Sequence, residues 1–268
     1  MASLVVSRSD ATKEAFRGCP QFDGETLRVD SISYRLLTHE TTDFSTHTAS
    51  LGSNPDREAL LLDPAKSPFL NAQFERIVQT LIDLRNEGRE LTEIGIVRLV
   101  WIQTIELFAG TNPENFDRYL TERLQSPDIP KVRLKDREIG CLTLDEFASK
   151  GLGCCRHQAL YLAHILHRLT QGPEPFLSGT VQHIRENIPS GGHAWATYVN
   201  KEHRMHIDPT FESFYHDMFS PAAKVEIIRR YGRKAFESEV RKTEPWFFQA
   251  AGITALTRPD TPLLSDSE

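Results

Sequence analysis

Apolar residues change their period once along this chain, and that change bounds the fold more tightly than any other feature. From Ser67 onward Phe69, Leu70, Phe74, Ile77, Val78, Leu81, Ile82 and Leu84 recur at helical spacing behind a Ser-Pro start. The pattern predicts a helix over about 68–86 that stops at Gly88. A second helix is expected from Thr92 to about Phe108, apolar enough to be buried, and a third from Pro113 to Leu124. Thr143, with Glu146 three residues later, has the form of a capping box on a short helix that ends at Gly151-Leu-Gly153. A stronger helix then begins near Cys154 and runs to about Leu169, with Cys155, Ala159, Leu162, Ala163 and Leu166 on one face. Beyond it the pattern becomes extended: Pro175 to Ile184, His193 to Val199 and Arg204 to Ile207 read as strands. Helices followed by a small antiparallel sheet, with no internal repeat, predict an α+β fold.

The remaining segments are less patterned. Thr26 to Leu37 reads as one strand and Thr38 to Asn54 as a polar stretch, so residues 1–66 are expected to form a loosely built leading segment. A helical subdomain over 67–139, a core over 140–256 and a disordered polar tail over 257–268 complete the expected organisation. The Glu- and Arg-rich stretch Ala223 to Arg241 reads as the solvated face of one or two helices.

Charge and cysteine usage exclude several classes. The net charge is -6 and no long Lys/Arg run exists, so nucleic acid is not an expected partner. No apolar run approaches the roughly 20 residues that span a bilayer, so no membrane role is expected. The apolar start of MASLVVSRSDATKEAF is too short for a secretory core, which points to a cytoplasmic address and leaves open secretion without a cleaved signal. Four cysteines, Cys19, Cys141, Cys154 and Cys155, do not resemble a disulfide framework, and without a Cys-x-x-Cys pair neither zinc nor any other cofactor is implied. His164 and His167 have the spacing of two metal ligands but no third partner at a telling distance. His183, His203 and His206 read as surface or strand-edge residues.

The chemistry concentrates at Gly151-Leu-Gly153-Cys154-Cys155. A thiol at a helix N-terminus is activated by the positive end of the helix dipole, and glycines there let a substrate carbonyl approach the backbone. Such a nucleophile needs a base and a group that orients the base. His193 and Asp208, each on or at the end of an expected strand, fit those roles.

These residues resemble the transglutaminase-like superfamily. The run Gly153-Cys154-Cys155-Arg156-His157-Gln158-Ala159 is similar to the motif that opens that family's nucleophile helix. Gly192-His193-Ala194-Trp195 and His206-Ile207-Asp208-Pro209-Thr210 are similar to its His-Ala-Trp and Asp-Pro-Thr segments. The Cys-Arg-His triplet is also similar to the transglutaminase-like domain of plant enhanced-disease-resistance kinases. The resemblance covers Gly151 to Thr210. It implies a papain-like fold with Cys155 as nucleophile, His193 as base and Asp208 as orienter. It also implies substrate contacts near Gly153, Cys154, Gly192 and Trp195, and Trp101 or Gln103 as candidates to assist the oxyanion. The implied reaction is acyl transfer through a thioester on a protein or peptide substrate, mainly hydrolytic. A protein-crosslinking transglutaminase and a non-catalytic binding module with the same fold are the alternatives.

Overall fold

The computed structural model describes residues 21–38, 41–51, 57–134 and 137–250. Cys19 and the tail over 257–268 lie outside them.

The architecture is α+β, with two sheets and a layer of helices between them. The predicted helices form with nearly the expected bounds. They are α1 (Pro68–Asn86), α2 (Glu93–Phe108), α3 (Pro113–Gln125), α4 (Leu144–Ser149) and α5 (Cys155–Leu169), with α6 (Pro221–Tyr231) and α7 (Arg233–Ala250) following the second sheet. Local chemistry sets their ends. Thr92, Asn112 and Thr143 each accept a hydrogen bond from the amide three residues on, and Gly88 leaves α1 with φ +74°. The capping box at α4 is only half formed. Thr143 caps, but the Glu146 carboxylate turns to Tyr119 and Arg123 and so ties α4 to α3.

The leading segment departs most from expectation. It contains β1 (Thr26–Val29), β2 (Ile32–Leu36), β3 (Thr48–Leu51) and β4 (Ala59–Leu62). The single strand expected over Thr26–Leu37 is a hairpin that turns at Asp30, with φ +53°, a conformation that Asp tolerates better than most residues. These strands join β5 (Lys131–Leu134) and β6 (Arg137–Thr143) in one six-stranded sheet ordered β1-β2-β3-β4-β6-β5, which crosses the boundary expected near residue 140. Its outer strands β1 and β5 also approach each other, so the sheet curls. Leu27, Leu51, Leu61 and Cys141 fill the inside of the curl, while Leu60, Leu62 and Leu142 alternate to face the helices.

The second sheet is antiparallel, ordered β10-β9-β8-β7: β7 (Thr180–Ile188), β8 (Gly191–Val199), β9 (Arg204–Asp208) and β10 (Ser213–Tyr215). The strand expected to end at Ile184 runs on to Ile188, and a two-residue turn leads into β8, with which β7 is paired along its length. Polar side chains do not interrupt a ladder whose antiparallel register is continuous. One face of this sheet, through Ala196, Tyr198, Met205 and Ile207, packs with α5 in the largest core. The other, through Ile184 and Trp195, packs against Ile227 and Tyr231 of α6 and Phe236 of α7.

Helix α5 is therefore enclosed. Arg156 through Leu166 are all buried, although the sequence shows only one apolar face. Enclosure puts Arg156 and His157 inside the protein, where a lone charge is very costly. Glu58, just ahead of β4 and itself buried, meets both: it is ion-paired with the Arg156 guanidinium and lies 3.2 Å from His157 Nε2. Arg156 also donates to the carbonyls of Ser50 (3.1 Å) and Glu58 (3.3 Å). Burial pushes the Glu58 carboxyl up, but Arg156 and His157 outweigh it and hold it at about 2.

Removing one member strands the other, so Glu58→Ala should lower the free energy of unfolding by about 3–5 kcal/mol in denaturant titrations. Because the folded carboxyl is depressed, its contribution is complete above the ordinary glutamate range and disappears as pH falls toward about 2. The variant should lose this acid dependence; wild-type stability in the variant would show that the pair does not anchor α5.

Candidate active site

Three pieces of backbone converge: the start of α5, the start of β8 and the end of β9. The loop into α5 is fastened by Thr111, whose hydroxyl donates to the Gly151 carbonyl (2.9 Å) and accepts from the Gly153 amide (3.1 Å). Gly151 has φ +64°, and a Cβ there would lie 2.8 Å from the Leu107 carbonyl oxygen. A Cβ on Gly153 would meet His157 Cβ at 2.7 Å and the Phe108 ring at 2.9 Å. Gly153 thus serves the packing of the helix start. Cys154 is the cap residue and Cys155 the first residue of α5; both are half-buried.

His193 and Asp208 meet on the second sheet. The β8–β9 register pairs Ala196 with Ile207, so Asp208 falls opposite Trp195, and His193 lies two residues along on the same face. The imidazole reaches the carboxylate diagonally, with His193 Nε2 2.6 Å from Asp208 Oδ2. The same oxygen accepts from the Tyr231 hydroxyl (2.7 Å), and Oδ1 accepts the amides of Thr210 (2.9 Å) and Phe211 (3.2 Å). Burial pushes the Asp208 carboxyl up, yet these donors prevail and hold it below the usual carboxylate range. An ionised carboxylate only accepts, so Nε2–H donates to Asp208, and in the neutral ring Nδ1 carries the lone pair. The Phe211 ring stacks flat on His193, 4.2 Å between centroids and 13° between planes, which fixes the ring orientation.

The thiol of Cys155 faces the backbone amide of Ala194, next to His193 in the chain, and is also hydrogen-bonded to Cys154. No hydrogen bond joins it to the His193 ring. Strand alternation gives the reason: Ala194 belongs to the face that α5 covers, whereas His193 shares the opposite face with Trp195 and Tyr231. The hydrogen bond to Cys154, then burial, raise the Cys155 thiol above its ordinary value, and the Ala194 amide only partly offsets them.

Cys154 has partners of its own. Its sulfur lies 3.3 Å from His157 Nδ1, and His157 Nε2 lies 3.2 Å from Glu58. The hydrogen bond from Cys155 lowers the Cys154 thiol well below its ordinary value against the opposing effect of burial, with His157 adding to it. Burial pulls His157 down, but Cys154 and Glu58 raise it.

Other expected positions land as follows. Gly192 is exposed at the start of β8 and pairs with Asn187. Trp195 is fully buried 6.0 Å from the His193 ring, so it supports the site from beneath and offers substrate no surface. Trp101 donates its indole N–H to the Asp208 carbonyl (3.4 Å), which uses the group proposed for the oxyanion; Gln103 is half-buried on the same helix. His164 binds the Phe44 carbonyl and His167 pairs with Asp43, so their side chains serve the fold. His183 and His206 are buried, not at the surface, and His206 is paired with Glu239 of α7.

Tyr231, Phe211, Glu58 and His157 were not legible as site residues. Only Asp208-Pro209-Thr210 carried a local signal, an aspartate turning onto amides two and three residues on. Neither a family model, a curated protein nor a solved structure matches the chain.

Tyr231→Phe removes one donor from a buried carboxylate. It should cost about 1.5–3 kcal/mol of stability and move the Asp208 titration upward in carbon-detected NMR. Since Asp208 is depressed in the folded state, the associated stability is lost as pH falls, and in the variant that loss should begin at higher pH. An unmoved Asp208 titration would contradict the assigned role of Tyr231.

Proposed function

We propose that this chain is a cysteine-nucleophile acyl-transfer enzyme of the transglutaminase-like, papain-like type. It acts on a carboxamide or peptide amide of a protein or peptide substrate. The observation that carries the reading is the His193–Asp208 hydrogen bond on neighbouring strands, set beside a cysteine at the first position of a helix. In the reaction, Cys155 passes its proton to His193 Nδ1 as the sulfur attacks the carbonyl carbon. The first amides of α5, which have no carbonyl partner one turn back, face the developing oxyanion. His193 then protonates the departing nitrogen, leaving a thioester. Asp208, fixed by four donors, keeps the imidazole in the required tautomer and stabilises it when charged.

Water resolves the thioester in this reading, giving a protease or a glutamine deamidase. Amine transfer needs an intermediate shielded from water, and Cys154 and Cys155 each keep part of their residue surface exposed. A second reading is favoured by one observation: Cys154, His157 and Glu58 are also a thiol, an imidazole and a carboxylate in sequence, with the thiol–imidazole contact made.

Mass spectrometry on a glutamine-rich protein, with and without excess primary amine, tests the reading. Cleavage, or a shift of about one dalton that persists with amine present, is expected. Cys155→Ala should abolish it and Asp208→Asn reduce it on the order of 10³–10⁴-fold, while Cys154→Ala reduces it far less. Efficient amine incorporation would convert the assignment to transamidation. Loss in Cys154→Ala with retention in Cys155→Ala would move the nucleophile to Cys154. A full set of inactive proteins would favour the binding module.

A further inference from the structure

Two half-buried thiols on adjacent residues have been given unequal surroundings. Cys154 sits at the cap of α5, at the positive end of the helix dipole, with His157 3.3 Å away and Glu58 behind it. Cys155 has, among the described residues, no imidazole within hydrogen-bond reach; it lies against Cys154 and the Ala194 amide, and its thiol is raised where that of Cys154 is lowered. A thiol activated by an imidazole contact and a helix N-terminus, with a second thiol on the next residue, is the arrangement that reacts with an electrophilic oxygen and then resolves the product. Selectivity is built in as well. Cys141 lies inside the curled sheet, where burial pushes its thiol up to about 12.

We propose that Cys154 and Cys155 form a reversible oxidation site for peroxides, closing to a disulfide between neighbouring residues. The Cys154 thiolate attacks one peroxide oxygen and the O–O bond breaks. The leaving oxygen takes a proton from His157 and departs as water or alcohol. Cys154 is then a sulfenic acid, oxidised by two electrons. The Cys155 sulfur attacks the Cys154 sulfur, the S–O bond breaks, and the hydroxyl leaves as water with the Cys155 proton. The product is one disulfide for one peroxide reduced.

Chain geometry makes this bond labile. Successive Cα atoms stand about 3.8 Å apart across a trans peptide, below the roughly 4.4–6.8 Å that an unstrained disulfide spans. A strained disulfide has a more oxidising potential and is readily reduced by cellular thiols. Closure ties up the sulfur to which the acyl-transfer reaction is assigned, so the site switches that reaction off. That consequence rests on the proposed function; the disulfide does not.

The test uses the unmodified protein, hydrogen peroxide as oxidant, and mass rather than turnover as readout. Trypsin cuts after Lys150 and Arg156, so Gly151–Arg156 carries these two thiols and no other. After peroxide and quenching with N-ethylmaleimide, this peptide should be about two daltons lighter and free of label; dithiothreitol should restore double labelling. In Cys155→Ser the sulfenic acid should persist and be trapped by dimedone on Cys154. In Cys154→Ser oxidation of the peptide should slow at least about tenfold. Full labelling of both thiols after peroxide, a disulfide to Cys19 or Cys141 instead, or undiminished oxidation of Cys155 in Cys154→Ser would each overturn the proposal. An inactive protein that still closes the disulfide would sink the proposed function alone.

Discussion

The buried pairing of Arg156 with Glu58 governs the rest of the structure. Helix α5 is covered on every side, and Arg156, its second residue, has nowhere to send its charge but inward. A guanidinium inside a protein is tolerable only with an anion and carbonyl acceptors at hand, and Glu58, Ser50 and the Glu58 backbone provide them. The ion pair adds little net stability compared with an apolar substitute, but it specifies where the helix start must lie relative to the curled sheet. Cys154 and Cys155 are neighbours of Arg156 in the chain, so the same pairing fixes both thiols.

The second sheet solves a complementary problem. It holds an ionised carboxylate in a buried place by spending donors on it. His193, Tyr231 and two backbone amides converge on Asp208, and Tyr231 arrives from α6 on the sheet face away from α5. The cost of burying that charge is thus spread over three elements, and the imidazole between Asp208 and Phe211 has little freedom to turn. The thiol and the imidazole approach from opposite faces of one strand, which is why they share the neighbourhood of Ala194 without touching at rest.

How much of this was legible follows from where the determining contacts lie along the chain. The helices from Pro68 to Leu169 were readable because their caps, stops and apolar spacing are local. His193 and Asp208 were readable as a pair because each lies on or at the end of a short expected strand, but they face away from α5 and not toward it as that reading required. The strands of the leading segment were not: β3 and β4 have only four residues each, buried on both faces, and so show neither alternation nor a helical period. Tyr231 and Glu239 were hidden for the opposite reason, since they sit in charged stretches that read as solvated surface while the two buried side chains face the sheet. Glu58 and His157 meet across 99 positions of sequence, a pairing that no window can reveal.

The two cysteines show how one helix terminus divides its influence. The positive end of α5 and the His157 imidazole favour one thiolate; a second negative sulfur beside the first would face a like charge in a poorly solvated place. The two thiols are therefore pushed in opposite directions, Cys154 down and Cys155 up. The His157 imidazole touches Cys154 and so favours negative charge there over Cys155. A thiolate at Cys154 is the group an oxidant finds first, while the Cys155 thiol, which makes no hydrogen bond to the His193 ring at rest, keeps its proton. The adjacency that lets Cys154 withhold charge from Cys155 is thus the same adjacency that makes Cys155 available to resolve an oxidised Cys154.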